Sequence, residues 1–255
     1  MRYSLLILLS IFLLNCKQEK PEEHTAQSII DKSIVVSGGE FIDSSLIAFD
    51  FRDKHYSAFR QNGTYHFERK FRDSSLKYFD TITQITDILN NKGFMRLVND
   101  FPMNEPDSMV VKYSASVNSV HYFSVLPYGL NDEAVNKKRL EDTSIKGENY
   151  YTIQVTFDQN GGGEDFEDVF VYWVNKTTEK VDYLAYSYNE DDGKGIRFRE
   201  AYNERYVKGI RFVDYNNYKP EDASVSLTVL PQLFESANLK LLSKIELENV
   251  RVSLN

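Results

Sequence analysis

The sequence predicts an α+β protein in which a large antiparallel sheet curls around its helices. Three observations carry this. Residues Asn149 to Tyr218 fall into about five strand-length runs separated by turn-forming clusters, and hold 16 of the 35 aromatic residues, including the only tryptophan, Trp173. That is the pattern of an antiparallel meander with a broad aromatic face. Helical spacing is confined to a few blocks, with none of the strand–helix alternation that builds a parallel sheet. Finally, Asn62-Gly63 sits between two alternating runs and is a strong hairpin signal.

The chain opens with Met1-Arg2 and an apolar run from Leu5 to Leu14, broken only by Ser10. The run is too short to span a bilayer as a helix, so residues 1–15 read as a secretory signal peptide. Cys16 is the only cysteine, and it stands where a lipoprotein leader places its acylated residue: LLNC resembles a lipobox. Acylation would consume the thiol and leave no disulfide in the chain. Residues 16–25 then form a lipidated cysteine and a polar, flexible tether. Lys17 and Gln18 replace the aspartate linked to inner-membrane retention. The expected location is the outer membrane, with the protein facing the periplasm or the surface.

The remaining residues, 26–255, fit one domain. The formal net charge of the whole chain is −8, and loss of Arg2 with the leader makes it more negative. An acidic chain is a poor partner for nucleic acid.

In order, Thr25 to Gly39 reads as a capped helix with Ile29, Ile30 and Ile34 on one stripe and Gly38-Gly39 as its stop. From Ser45 the period changes to two, and Leu46–Phe51, His55–Arg60 and Thr64–Phe71 are expected as strands. Thr83–Asn91 has the spacing of a short helix ended by Gly93, and Phe94–Val98 that of a strand. Asp107–Val125 reads as a longer helix, capped by Asp107 or Ser108, with Tyr113, Val117, Val120 and Phe123 near one face. A compact turn, Leu126–Val135, and a strand, Leu140–Ile145, lead into the meander. There Val169–Val174 is apolar at every position, which predicts a central strand covered on both sides. Ser224–Val229 is expected as a strand, Pro231–Ser236 as a helical turn, and Leu241–Leu254 as a closing strand.

The segments HYFSVLPYGLNDEAV, GGGEDFEDVFVYW, VDYLAYSY and GIRFREAYNERYVKGIRFVDYNNYKP resemble a family of diderm (Bacteroidota-type) envelope lipoproteins. The whole arrangement resembles the LolA/LppX-like lipoprotein-carrier fold. The resemblance implies an incomplete, half-open barrel over residues 26–255, with helices on its concave face and an apolar cavity between them.

The acidic loop Asp158–Asp168 offers hard oxygen ligands suited to calcium, with Asp158, Asn160, Glu164 and Asp165 as weak candidates. It departs from an EF-hand loop at Gly162 and Val169, so an ordinary hairpin loop with solvated carboxylates is the plainer reading, and no metal is expected. Arg197 and Arg199 share a strand face. They could hold an anionic headgroup, or form a solvent-side ladder with Glu200, Glu204 and Asp214. No catalytic or cofactor motif appears, and no cofactor is expected. The function expected is binding or carriage of a lipid or other apolar or amphipathic molecule. Tyr113, His121 and Tyr122 would line the site from the helix side, with Trp173, Tyr186 and Tyr188 on the sheet side and Arg197 and Arg199 at the mouth. The alternatives are an envelope enzyme acting on a polar substrate at an arginine–carboxylate cleft, and an assembly lipoprotein whose aromatic face binds another envelope protein.

Overall fold

A computed structural model describes residues 24–78, 81–162, 166–190 and 193–254. The segment expected to be a signal peptide, residues 1–15, and Cys16 lie outside the described residues. The elements are α1 (Ala26–Val36), β1 (Ser44–Phe51), β2 (Lys54–Gln61), β3 (Thr64–Tyr78), β4 (Thr81–Asn90), β5 (Gly93–Val98), β6 (Phe101–Met103) and α2 (Asp107–Ser124). They continue with β7 (Val135–Arg139), β8 (Thr143–Ile145), β9 (Glu148–Phe157), β10 (Val169–Asn175), β11 (Val181–Glu190), β12 (Gly193–Val207) and β13 (Ile210–Pro220). The chain ends with α3 (Leu230–Glu235), β14 (Leu239–Ile245) and β15 (Glu248–Leu254). Among the described residues no helix is long and apolar enough to cross a membrane.

The strands form two antiparallel sheets. One runs in the order β15-β1-β2-β3-β4-β5-β6, the other β14-β13-β12-β11-β10-β9-β7, with β8 also paired to β9. Expected strands in the first third and the meander appear as such. Asn62 and Gly63 both take positive φ, 49° and 73°, as the tight β2–β3 hairpin requires. Thr25 caps α1, its hydroxyl accepting from the Ser28 amide at 3.0 Å.

Five expectations fail. Thr83–Asn91 is not a helix but most of β4, paired to β3 and β5. The i, i+3, i+4 spacing of its apolar residues mimics a helix, but Thr83, Ile85, Thr86 and Ile88 are β-branched and favour a strand buried on both faces. Ser224–Val229 is not a strand: Leu227–Val229 is a single 3₁₀ turn, begun where the Ser226 hydroxyl accepts from the Thr228 amide. Leu241–Leu254 is not one strand but parts of two, β14 and β15, which belong to different sheets. The strand expected at Leu140–Ile145 shrinks to β8, and β7 fills the stretch between it and the expected turn. The side chains of Asp107 and Ser108 do not cap α2; Pro106 holds the cap position and makes no side-chain bond.

The crossing between β14 and β15 is pinned by one carboxylate. Asp214 accepts from the Leu247 amide at 2.9 Å, from Asn203 Nδ2 at 2.6 Å and from Arg205 at 3.0 Å. Near the opposite end of β13, Gly38 (φ 76°) packs on the Lys208-Gly209 turn so closely that a Cβ there would lie 2.0 Å from the Gly209 carbonyl oxygen. The Arg211 amide then donates to the Ser37 carbonyl, which ties the end of α1 to β13.

β10 is the centre of the core. Phe170, Tyr172 and Val174 pack on one side with Ile29 and Ile30 of α1 and with Leu126 and Leu130. Val171 and Trp173 pack on the other with Phe198, Leu227 and Leu230. α2 is different. Only Val117, His121 and Ser124 are buried on it, and much of its seat is polar. Asp87 on β4 is fully buried between two arginines. Arg69 donates to it through Nε at 3.0 Å and Nη2 at 2.6 Å, and Arg96 through Nε at 2.6 Å and Nη2 at 3.1 Å. Both arginines also hold the helix: Arg69 Nη1 donates to Ser116 at 2.7 Å, and the Arg96 guanidinium lies 3.6 Å from the Tyr113 ring centre.

Trp173 has no exposed surface. Its truncation to alanine should cost about 3–5 kcal/mol, measured by urea unfolding. An unchanged unfolding midpoint would show that this side chain is not part of the core.

Candidate functional site

Register places the candidate residues. Phe170 faces Tyr186 across β10–β11, and Tyr186 faces Arg197 across β11–β12; Tyr172, Leu184 and Arg199 form the next row. With a period of two, all six side chains share the face that carries α1 and the end of α2. Phe123 of α2 closes over them, its ring centre 5.6 Å from Tyr186 and 6.1 Å from Phe170. Tyr186 lies 5.1 Å from Phe170 and 5.8 Å from Tyr188. Tyr188 in turn lies across Gly195, where a Cβ would come within 2.3 Å of its ring.

Arg199 is buried in this aromatic cluster. Its guanidinium is 4.0 Å from the Phe123 ring centre and 5.0 Å from that of Tyr186, and its Nη2 donates to the Tyr186 hydroxyl at 2.7 Å. Its Nε is enclosed and has no partner. Among the described residues no carboxylate comes within ion-pair distance of Arg199. The carboxylates expected to form a ladder are engaged elsewhere: Glu200 with Lys146 at 2.6 Å, Asp214 with Arg205 at 3.0 Å, and Glu204 with Lys180. Arg197 is half-buried, 5.0 Å from the Tyr188 ring centre, and donates to the Ile196 carbonyl.

Tyr122 joins the same face, its hydroxyl 3.3 Å from that of Tyr172. Burial pushes both phenols above their usual pKa, so both stay neutral. The other three expected residues go elsewhere. His121 faces the opposite sheet, stacked on Phe67 at 4.6 Å. Tyr113 sits under Arg96 near the start of α2. Trp173 lies on the far face of β10, against Leu227 and Leu230. Sequence reasoning passed over Phe123, Phe170 and Tyr172, although alternation along FVYWV puts Phe170 and Tyr172 opposite Trp173. It also missed Asp87, because β4 was read as a helix.

In the acidic loop, Asp158 accepts from Asn136 Nδ2 at 2.7 Å and Asn160 is exposed. Glu164 and Asp165 lie outside the described residues. An open depression of about 630 Å³ bordered by Arg139, Leu140, Glu141 and Asp142 lies apart from the aromatic cluster; there Arg139 and Lys176 are both tied to Asp142.

A family model described as a family of unknown function, DUF6503, matches residues 2–247. The chain belongs to the DUF6503 family. No curated protein matches this DUF6503 member. Similar solved structures include a LolA superfamily protein from Nitrosomonas europaea, 13% identical, covering 90% of this chain and 91% of that one with a TM-score of 0.43. They also include a DUF1329 family protein from Desulfovibrio piger, 11% identical, covering 89% and 92% with a TM-score of 0.49. A third is an outer membrane lipoprotein-sorting protein domain from Vibrio parahaemolyticus, 10% identical, covering 89% and 93% with a TM-score of 0.44.

The electrostatics of His121 yield a prediction. Burial, with Arg60 and Arg69 nearby, pushes its pKa from 6.5 down to about 3. Between those values the unfolded chain binds the proton and the folded one does not. Stability from this group is therefore complete above pH 6.5 and is lost as pH falls, by about 1.4 kcal/mol per pH unit. Urea unfolding from pH 7 to pH 4 should show this slope in the wild type and a shallower one in His121→Phe. Parallel curves would sink the assignment.

Proposed function

We propose that this DUF6503 protein is a membrane-anchored envelope lipoprotein, located at the outer membrane and facing either side of it, that binds an amphipathic molecule with an anionic head. The observation that carries this reading is Arg199. A guanidinium in an aromatic pocket with no carboxylate beside it is costly to keep charged, and an anionic ligand would offset that cost. The middle of the concave face is filled by Ile29, Ile30, Leu126 and Leu130. The ligand therefore sits at the end of the face, where Phe123, Tyr186, Tyr188 and Arg197 are half-buried. There the rings offer an apolar wall with wet edges. Each methylene buried against them would contribute on the order of 0.8 kcal/mol. Residues 26–255 would act as one domain, held to the membrane through Cys16.

The purified protein should bind a fluorescent fatty acid, displaceable by unlabelled lipid. Replacing Arg197 and Arg199 together by glutamine should weaken anionic ligands about tenfold or more, since each bond to a charged group is worth roughly 1.5–3 kcal/mol. Neutral analogues should change much less. Equal losses for both classes would remove the arginines from the binding site, and no binding at all would end this reading in favour of a protein-docking role.

The anchor is tested separately. Cys16→Ser should move the protein out of the membrane fraction; a variant that stays membrane-bound after a carbonate wash is held by something else.

A further inference from the structure

α1 ends in an apolar surface that the core does not use. Gln27, Asp31 and Val35, four residues apart, are exposed along one side of the helix. Gln27 donates to Asp31 at 2.8 Å, and Asn131 donates to Asp31 at 2.7 Å. Val35 continues the row and is 71% exposed. A β-branched residue is one of the weaker helix formers, so local stability does not call for it there. Two rings stand beside it. The Tyr206 hydroxyl donates to the Val36 carbonyl at 3.0 Å, which fixes a ring that is 46% exposed. Phe41, 36% exposed, lies on Gly209, where a Cβ would come within 2.8 Å of the ring. Both rings thus meet at the β12–β13 turn, against the end of α1.

The rim of this patch is electrically balanced. Within residues 32–41 and 204–209, Lys32 pairs with Glu179, Glu204 with Lys180 and Arg205 with Asp214. Glu40 and Lys208 are exposed, one of each sign. Apolar side chains with a tyrosine and a neutral polar rim suit the interfacial zone of a bilayer, where aromatic rings sit at headgroup level.

The position of the patch says what covers it. α1 lies across the strand ends of the sheet that contains β10. His24 stands 5.2 Å from the Tyr151 ring on β9, Lys32 reaches Glu179 between β10 and β11, and the Arg211 amide of β13 donates to the Ser37 carbonyl. The patch and His24 are therefore at the same end of that sheet, joined by one helix of 11 residues, about 16 Å long. Cys16 stands eight residues before His24, at most ~29 Å of extended chain. A bilayer that held Cys16 would be within reach of the patch.

We propose that the junction of α1 with the β12–β13 turn is a bilayer-contact surface, with Val35, Phe41 and Tyr206 set among the headgroups of the membrane that holds Cys16. This rests on the reading of the protein as anchored through Cys16.

Hydroxyl-radical footprinting on vesicles tests it. The protein is produced from Cys16 onward, which keeps every described element, and its only thiol is coupled to a maleimide lipid in phosphatidylcholine vesicles. The anchor is then supplied chemically, so the result does not depend on whether a cell acylates Cys16; that question is answered by the carbonate wash of Cys16→Ser. Labelling of Phe41 and Tyr206 should fall severalfold on coupling, and equally with phosphatidylglycerol added, because the rim is balanced. Phe101, 74% exposed on the edge strand β6 of the other sheet, should label as before. Val35→Glu, at an exposed position, should fold, which circular dichroism checks, and should return Phe41 and Tyr206 toward their uncoupled labelling; Val35→Leu should stay protected. The proposal is overturned if coupling leaves both rings as reactive as before, if Phe101 is protected to the same degree, or if folded Val35→Glu keeps wild-type protection. Protection that appears without lipid and rises with protein concentration would also overturn it, by showing that a second copy covers the patch.

Discussion

A strand whose apolar side chains point both ways has to be covered twice, and most of this structure follows from that demand at Val169–Val174 of β10. Phe170, Tyr172 and Val174 need one layer, and α1 with Leu126 and Leu130 supplies it. Val171 and Trp173 need another, supplied by the turn carrying Leu227 and the start of α3. The positions of the N-terminal helix and of the chain around residues 225–235 are therefore not independent. Both are set by the same five residues, three on one side and two on the other. The Gly38–Gly209 contact extends the constraint, since α1 reaches β10 only if its end passes flush against the β12–β13 turn.

The second sheet follows another rule. Under α2 the buried layer contains Arg60, Arg69, Arg96, Asp87 and His121, where the first sheet has isoleucine and leucine. Arg69 and Arg96 share Asp87, Arg96 also reaches Glu105 at 3.6 Å, and Arg60, like Arg199 on the facing sheet, has no carboxylate within ion-pair distance among the described residues. Cations buried in excess are expensive to maintain for packing alone, since apolar residues of similar volume would fill the same space at less cost.

The fold was legible where pattern and chemistry agreed. Alternation in β1, β2, β9 and β11, the turn residues Asn62-Gly63, and Thr25 before an apolar stripe each have one physical reading. β4 failed because Ile85, Ile88 and Leu89 satisfy two periods at once, and only pairing to β3 and β5 decides between them. β14 and β15 were merged because Glu246-Leu247 carries no turn residue; the break is made by Asp214, more than thirty positions earlier. The site was half legible for the same reason. Tyr186, Tyr188, Arg197 and Arg199 follow from alternation on neighbouring strands. That Phe123 would close over Arg199, while His121 two residues before it turned to the other sheet, depends on how α2 is rotated, and a weakly amphipathic helix does not announce its rotation.

The last described strand has a bearing on when this protein becomes itself. β15 pairs with β1, Ser45 opposite Leu254, so the first described strand takes one neighbour from the last described one. Synthesis delivers these two partners about 200 residues apart. Until residues 248–254 have been made and have folded back, that edge of β1 stays unpaired, however well the intervening hairpins have formed. A chain cut short by even one strand would carry nearly all of its hydrophobic core and still present an open sheet edge, the kind of surface that other strands join.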